Sequence, residues 1–495
     1  FAPKANSQHS LNLGGASLLG KKTLHSMSKP GLLWFRKDLR LHDNPVLHRA
    51  LAESDTLLPV FCLDPRWFRE LPLGFRKTGA HRLAFLLQSL TDLKKRLKGI
   101  GGDLHIVIGQ PEEVITKLVR AHGVQTVYAQ RDIAWEEQQD EQAVQHALAP
   151  LGCNFEREWS HLLYHPDDVS FAPEDTAATF KTFRKHLRQG SKVRPLLPTP
   201  VTFPLLEYTY APVPSMEDVG FKATAGQPAY PGGETAALER LQYYFFDSQL
   251  LTRYKWTRNQ SLGSDYSSKF SPYLAYGCLS PRRVYWENKK YEREVKKNVS
   301  TYWLIFELKW REFFQYLGMK HGNRMFFPGG IKERAHSWKK DEELFRRWQE
   351  GRTGIPFLDA HMRQLNQTGF MSNRGRVNHA SFLAQEYGID WTWGAAWFEV
   401  QLIDYDVCSN WLNWNVQATE QRFTNAIWQS RKYDKKGEFV RHWLPELEKV
   451  PPPYCYAPFL MDEAAQNEYG VHIGKDYPAP EPLSGKLEWA VKRVS

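Results

Sequence analysis

Five short apolar runs alternate with helical patterns over the first third of the chain, and this alternation is the strongest constraint on the fold. Leucines recur at helical spacing over Ala80–Leu97, and Pro111–Ala121 opens with a proline and two glutamates, which suit the first turn of a helix. Strands that alternate with helices form a parallel, doubly wound sheet with helices on both faces. The predicted strands are Leu32–Phe35, Leu57–Leu63, Leu104–Ile108, Val124–Ala129 and Asn154–Trp159.

The pattern changes twice beyond these strands. Residues 166–245 are rich in Pro and Gly, which is typical of a long connector that crosses the surface. From about residue 246 the chain is helical in pattern, with many Trp and Tyr and little strand signal. We therefore predict an α/β + α fold: a doubly wound parallel-sheet domain over 31–165, an interdomain connector over 166–245, an all-helical domain over 246–480 and a C-terminal tail over 481–495.

The first 30 residues form a separate segment without Asp or Glu. They contain several serines and four lysines, and they lack clear periodicity. This composition resembles an organelle transit segment, which indicates a chloroplast or a mitochondrion. The segment also lacks arginine, so a disordered tail with no targeting role is an equally good interpretation, with the cytoplasm or the nucleus as the compartment.

Charge and cysteine usage exclude several classes of site. Lys and Arg number 65 against 55 Asp and Glu, and the resulting charge of +10 indicates an anionic partner such as nucleic acid or simply a basic surface. The five cysteines show no CxxC or Cys/His spacing, which predicts reduced thiols and no metal site. No apolar run reaches the roughly 18 residues of a membrane span. No glycine-rich phosphate loop follows a predicted strand, which disfavours an ordinary NAD or P-loop site.

Two segments with charged or hydroxyl side chains stand out. The first, LWFRKDLRLHDN (33–44), directly follows the first predicted strand, and ligands bind at the carboxyl ends of parallel strands. A loop held by ion pairs is the alternative. The second, YSSKFS (266–271), places hydroxyls beside a lysine, a combination suited to a diphosphate. Serine-rich turns are common, so this segment alone is weak evidence.

Three further segments lie in the predicted helical domain. In STYWLIFELKWREFFQYL (300–317), Glu307, Trp310 and Arg311 share one helix face and can together bind a stacked base. GFMSNRGR (369–376) and LIDYDVCSNWLNW (402–414) supply an arginine, two aspartates and amides that can hydrogen-bond a heterocycle and a ribose. A salt bridge beside a buried tryptophan, or a structural hydrogen-bond network, explains each segment equally well when it is considered alone.

Together the five segments resemble the photolyase/cryptochrome family, in order and spacing, over essentially residues 30–480. CLDPRWF (62–68), FRKTGAHR (75–82) and the run through SSKFSPYLAYGCLSPR (267–282) are similar to the cryptochrome-DASH branch. The resemblance implies an N-terminal antenna domain and a C-terminal FAD-binding domain. It implies that FAD is bound by Tyr254, Ser267, Ser268, Lys269, Phe270, Ser271, Arg311, Arg376, Asp404, Asp406 and Asn410, with Arg376 and Asp404 flanking the flavin ring as an ion pair and Asn410 facing N5.

The resemblance also assigns residues to electron transfer and to the substrate. Trp414, Trp391 and Trp338 align with an electron-transfer triad from the flavin to the surface, although each of them can be an ordinary core tryptophan. The catalytic set that it implies is Glu307, Trp310, Asn373 and Asn410, of which the first three contact a pyrimidine dimer. Glu137, in AWEEQQDE, aligns with an antenna ligand, so 5,10-methenyltetrahydrofolate is the expected second chromophore.

The implied activity is blue-light-driven electron transfer from reduced flavin that repairs cyclobutane pyrimidine dimers. The DASH branch prefers single-stranded DNA, and we expect a monomer with no membrane partner. A (6-4) photolyase is disfavoured because no histidine pair stands at the family's site in GFMSNRGRVNH. A DNA-binding flavoprotein without a light-driven role is a third hypothesis.

Two departures from the family pattern lie on the substrate side. Val416 stands where the family has an aromatic residue, and the loop over Asn415–Thr419 is shorter than the family's loop. Val377 also departs from the expected Gln or Met. These changes favour the alternative of a blue-light photoreceptor with weak or no repair activity. The position of Ser495, soon after the family's tail, argues against that alternative because signalling members usually carry a longer extension.

Overall fold

The computed structural model describes residues 29–222, 228–420, 423–484 and 487–488. The predicted tail over residues 1–30 lies almost entirely outside this range. Five parallel strands form a sheet in the order β3-β2-β1-β4-β5. Each predicted strand is confirmed, with ends that differ by no more than two residues. The strands are β1 (Pro30–Phe35), β2 (Thr56–Leu63), β3 (His105–Ile108), β4 (Thr126–Gln130) and β5 (Asn154–Glu158).

The central strands are buried on both faces, which explains why their sequences are continuously apolar. Trp34 of β1 lies opposite Val60 of β2 and Ala129 of β4. The strand order reverses beside β1, and a crevice at such a reversal is where doubly wound sheets bind ligands. The helices that cover the sheet are α1 (Pro45–Glu53), α2 (Ala80–Lys98), α3 (Pro111–His122) and α4 (Trp135–Leu148).

The segment between the two domains contains helices as well as extended chain. Its helices are α5 (Phe180–Leu187) and α6 (Glu234–Gln242). Leu206, Tyr208 and Tyr210 pack against the apolar cluster on one face of the sheet. The segment is therefore packed against the sheet domain, and the boundaries of 166–245 as a connector stay a prediction.

The C-terminal part is helical, as predicted. Its core includes the completely buried side chains of Tyr316, Trp348 and Trp391. No helix in the described ranges is both long and apolar enough to span a membrane. The helices are α7 (Tyr254–Thr257), α8 (Ser271–Ala275), α9 (Pro281–Glu294), α10 (Val299–His321), α11 (Glu342–Gln349), α12 (Pro356–Thr368), α13 (Asn373–Gln385), α14 (Trp391–Gln401), α15 (Val407–Thr419), α16 (Ala426–Tyr433), α17 (Glu438–Trp443) and α18 (Glu463–Tyr469).

Buried ion pairs join the charged loop after β1 to the helical domain. Asp43 accepts hydrogen bonds from Arg282 Nε at 3.0 Å and Nη2 at 2.6 Å. Arg40, which is completely buried, donates to the carbonyl of Gly277 at 2.9 Å. Gly277 has φ +67°, and a Cβ there would lie 2.1 Å from the carbonyl oxygen of Lys37. This part of the loop is an ion-paired connection between the domains.

Candidate functional site

A buried cluster of charged and phenolic groups lies under α13. Arg376 Nη2 donates to Asp404 at 2.8 Å, and Arg376 Nε donates to the carbonyl of Met371 at 2.9 Å. The structure therefore forms the Arg376–Asp404 ion pair that the resemblance implied. Asp404 Oδ1 and the hydroxyl of Tyr266 are buried, and neither has a hydrogen-bond partner among the described residues.

Lys269 is the most unusual group in this cluster. Its backbone has φ +60°, its side chain is buried, and its Nζ has no hydrogen-bond partner in the described part of the chain. Nζ lies 3.2 Å from the centroid of the Tyr266 ring. Burial, together with the positive charges of Arg240 and Arg376, lowers the pKa of Lys269 to about 6. An amine held in this way gains a proton readily when an anion binds beside it, so the group fits the diphosphate of FAD.

Arg240 hydrogen-bonds to the backbone of the YSSKFS segment. It donates to the carbonyl of Ser268 at 3.1 Å and to that of Ser267 at 3.1 Å. Phe270 packs into the core, and Ser271 is exposed at the start of α8. The segment is thus held so that Lys269 points into the protein, whereas the two serines before it are half-buried.

Asp406 and Arg311 form a second polar group, at the end of the helical domain that faces the sheet. They lie 3.5 Å apart, and Gln315 Nε2 donates to Asp406 Oδ1 at 2.8 Å. Burial alone would raise the pKa of Asp406, but Arg311 and the backbone N–H of Ser409 hold it below its ordinary value. Arg311 also donates to the carbonyl of His161 at 2.8 Å. These two residues therefore lie at the boundary with the sheet domain, beside Lys37, Glu137 and His161.

Asn410 lies in α15, and its side-chain NH₂ donates to the carbonyl of Ala395 in α14 at 3.0 Å. This bond fixes the orientation of the amide. Because α14 and α15 pack against each other, the position of Asn410 depends on both helices. Its role toward N5 of the flavin stays a prediction.

The residues assigned to the substrate lie on α10 and at the start of α13. Glu307 Oε1 accepts from Arg258 Nη1 at 2.5 Å. Burial raises the pKa of Glu307, while the charges of Arg258 and Arg374 oppose that rise. Asn373 begins α13 and is exposed, directly before Arg374. Tyr254 is buried, and the negative charge of Glu307 contributes to raising its pKa after burial itself.

Trp310 lies one turn along α10 from Glu307. One face of its indole stacks on Phe180 of α5, with ring centroids 3.7 Å apart and planes inclined by 20°. The residue is half-buried. The basic helix α5 therefore fixes the orientation of an aromatic ring that the resemblance assigns to the substrate.

Two of the three tryptophans of the implied triad share a hydrogen-bond acceptor. Trp338 Nε1 and Trp391 Nε1 donate to the carbonyl of Pro328 at 3.1 Å and 3.0 Å. Trp414 packs on the helix of Trp391, where Gly394 leaves room for it: a Cβ at Gly394 would lie 2.3 Å from the Trp414 ring. The structure thus brings Trp338 and Trp391 close together and places Trp414 on the adjoining helix.

Trp411 was not singled out from the sequence, although it contacts the triad. Its ring centroid lies 6.0 Å from that of Trp391. Its Nε1 donates to Glu399 at 3.2 Å and to the hydroxyl of Tyr405 at 3.1 Å. Trp411 precedes Trp414 by three positions, so helical spacing was the signal that could have found it.

A cavity of 710 Å³ lies between the two domains, beside the ends of β1 and β2. Glu137 lies in its wall, where Lys37 Nζ donates to the carboxylate at 2.5 Å. Burial would raise the pKa of Glu137, but Lys37 holds it below its ordinary value. Burial raises the pKa of nearby Asp140 to about 6. The aromatic wall, which sequence reasoning missed as a site, includes Trp67, Phe68, Trp135, Phe326, Trp393 and Trp411.

Two family models match the chain. The one described as "DNA photolyase" covers residues 31–202, and the one described as "FAD binding domain of DNA photolyase" covers residues 303–482. A Cryptochrome DASH of Natronomonas pharaonis is 45% identical over 91% of this chain and 97% of its own length. The chain belongs to the cryptochrome-DASH branch of the photolyase/cryptochrome family.

Other members of the family support this assignment. The "Cryptochrome DASH, chloroplastic/mitochondrial" of Arabidopsis thaliana is 42% identical over 85% of the chain and 76% of that protein. The crystal structure of a Synechocystis cryptochrome superposes with a TM-score of 0.87 at 43% identity, covering 94% of this chain and 99% of that one. The photolyase fold and the FAD-binding domain expected from the sequence are therefore confirmed.

One expectation about this DASH-branch chain is wrong. Residues 415–419 were treated as a shortened loop, but they are the last residues of α15, which ends at Thr419. The hydroxyl of Thr419 donates to the carbonyl of Asn415 at 2.8 Å, and the stretch has no Gly or Pro to end the helix. Val416 is therefore a half-buried helical residue, as is Val377 in α13.

Proposed function

We propose that the protein is a blue-light-driven flavoenzyme that repairs cyclobutane pyrimidine dimers in single-stranded DNA. The observation that carries the proposal is the pair of half-buried residues Glu307 and Trp310, which lie one turn apart on α10. Asn373 lies next to Arg374, whose charge acts on Glu307. Bound, reduced FAD would supply the electron that splits the dimer.

The chain's own residues bind and orient both partners in this proposal. Lys269 neutralises the diphosphate, and the Arg376–Asp404 pair holds the flavin ring. Trp310, oriented by Phe180, stacks on a pyrimidine. A carboxyl group whose pKa is raised by burial keeps a proton more readily, so Glu307 is suited to hydrogen-bond a pyrimidine carbonyl oxygen. Arg258 then has to release Glu307 when the dimer enters.

The test is repair of a single-stranded oligonucleotide that carries one thymine dimer, under blue light and with fully reduced flavin. Glu307→Gln keeps the size of the side chain but loses the carboxylic acid. We expect it to lower the rate of repair by roughly tenfold, the value of one strong hydrogen bond. Glu343→Gln, at an exposed position of α11, is the matched control. The absence of repair by the wild-type protein would refute the proposal.

The second candidate is a blue-light photoreceptor with weak or no repair activity. Val416 favours it, because an aliphatic side chain cannot stack on a base as an aromatic ring does, and such stacking contributes about 1–3 kcal/mol per base. In the same assay, photoreduction of the flavin without any repair would support this candidate.

We also propose that the interdomain cavity binds 5,10-methenyltetrahydrofolate as an antenna. Its volume of 710 Å³ and its aromatic wall suit a pterin-sized ring, and Glu137 supplies an acceptor for ring N–H groups. The purified protein should then have a near-ultraviolet absorption band besides those of flavin. Glu137→Gln should lose this band and keep the flavin.

The compartment and the oligomeric state complete the proposal. An organelle address is supported by the acid-free residues 1–30 and by the chloroplastic or mitochondrial name of the Arabidopsis relative. A fluorescent fusion to residues 1–30 should then enter a plastid or a mitochondrion, and a diffuse signal would refute that address. We expect a monomer in size-exclusion chromatography with light-scattering detection.

A further inference from the structure

An exposed tryptophan on α16 belongs to a row of alternating basic and aromatic side chains. Trp428 is 46% exposed, and Lys432 Nζ lies 4.8 Å from the centroid of its ring. The same Nζ lies 5.3 Å from the centroid of the Tyr433 ring, and Arg374 Cζ lies 4.6 Å from the centroid of that ring. Three cationic or aromatic contacts therefore link Trp428 to Arg374.

The row continues to Glu307, one of the residues assigned to the substrate. Arg374 follows Asn373 and donates to Asn259 Oδ1 at 2.9 Å. Next to Asn259, Arg258 binds Glu307, and its Cζ lies 4.9 Å from the ring of Trp303. Glu307 is thus at one end of the row and Trp428 is at the other. A positively charged path with aromatic rings along it is the arrangement by which proteins bind single-stranded nucleic acid.

An isolated exposed aromatic residue would need no explanation. Trp428 differs because Lys432 lies over its ring and the row continues through Tyr433 to Arg374. Position 416, where the family pattern has an aromatic residue, is aliphatic here, and Trp428 lies on the next helix of the chain. An unpaired base offers a free face for stacking, whereas the bases of a duplex are already stacked on each other.

We propose that Trp428 and Lys432 form a binding site for a nucleotide that flanks the lesion in single-stranded DNA. The base stacks on the indole of Trp428. Lys432, on its flexible four-carbon side chain, moves from the indole to the neighbouring phosphate. This inference takes its ligand from the proposed function, but it concerns binding in the dark and not the light reaction.

The experiment measures binding of the flavin-loaded protein to a fluorescent single-stranded oligonucleotide in the dark, by anisotropy. We expect Trp428→Ala to weaken binding by about tenfold and Trp428→Phe to retain most of the affinity, since both outcomes follow from stacking. Trp286→Ala is the matched control, because Trp286 is 36% exposed on α9 and lies outside the row. Lys432→Gln should reduce the slope of log affinity against log salt by about 0.7, the value for one phosphate contact in a single strand.

A series of oligonucleotides, each with one abasic position near the dimer, identifies the stacked base. At that position Trp428→Ala should add no further loss, because the partner of the indole is already missing. Unchanged binding by Trp428→Ala, or equal losses in Trp428→Ala and Trp286→Ala, would overturn the proposal, as would a wild-type protein that binds no single strand. Weaker dark binding by Trp428→Ala without repair in light would refute the proposed function and leave this site standing.

Discussion

FAD should bind more tightly as the pH falls toward 6, and Lys269 should be the cause. The side chain is buried beside Arg240 and Arg376, which lowers its pKa to about 6 from an ordinary value of 10.5. At neutral pH the lysine of the flavin-free protein is therefore mostly uncharged. A diphosphate beside Nζ stabilises the ammonium, so binding FAD takes up a proton.

The size of the effect follows from linkage between protonation and binding. Above pH 6 the fraction of the flavin-free protein in which Lys269 is protonated falls about tenfold per pH unit. The free energy of protonating it therefore rises by about 1.4 kcal/mol per pH unit. The dissociation constant of FAD should therefore rise by up to about tenfold per pH unit from pH 6 to the pKa of the bound state. Below pH 6 the lysine is already charged in the free protein, and the affinity should level off.

The assay is titration of the flavin-free protein with FAD, followed by quenching of flavin fluorescence, from about pH 6 to about pH 8. Lys269→Met should bind more weakly and without this pH dependence, because no charge is gained. Lys269→Arg should also lose the dependence, because a guanidinium stays charged throughout. A flat affinity in the wild-type protein, or a slope that persists in Lys269→Met, would refute the reasoning.

Three further predictions concern the fold and the tryptophans. Asp43→Ala should lower the free energy of unfolding by about 3–5 kcal/mol in denaturant titrations, because it leaves Arg282 buried without its carboxylate. Gly394→Ala should cost about 1–3 kcal/mol and change the near-ultraviolet circular dichroism, because its Cβ meets the Trp414 ring. Trp391→Phe should abolish photoreduction of oxidised flavin, measured by absorption under blue light, whereas an unchanged rate would exclude the triad.

The strands could be predicted from local patterns, because a parallel strand that is covered on both faces requires a continuous run of apolar residues. Leu57–Leu63 was bounded within one residue of the observed Thr56–Leu63. The Arg376–Asp404 pair was implied by the resemblance, whereas the residues alone left open which aspartate pairs with Arg376. The end of α15 was not, because the family pattern suggested a loop at Asn415–Thr419 while the residues themselves permit a helix.

Contacts between residues far apart in the chain could not be predicted from spacing. The loop after β1 shows why. One of its charged residues forms an ion pair between the domains, and another lines a candidate ligand site. Asp43 meets Arg282 across the domain boundary, whereas Lys37 faces Glu137 in the interdomain cavity. The order of these charged residues in the sequence does not show which one pairs across the domain boundary and which one faces the cavity. Helical spacing places Trp411 near Trp414, but its contact with Trp391 joins two helices and could not be predicted from that spacing.

The loop after β1 also relates the two proposed chromophore sites. Lys37, paired with Glu137, lies in the wall of the cavity, and the backbone of Gly277 packs against the same lysine's carbonyl. Gly277 belongs to the stretch that begins with Lys269. A displacement of the cavity wall would therefore also displace the cluster formed by Lys269, Tyr266, Arg376 and Asp404. Completely buried Arg40 and the Asp43–Arg282 pair resist such a displacement, because separating them would leave charges unpaired in the interior. Buried charge at the domain boundary thus holds the cavity wall and this cluster in a fixed relative position.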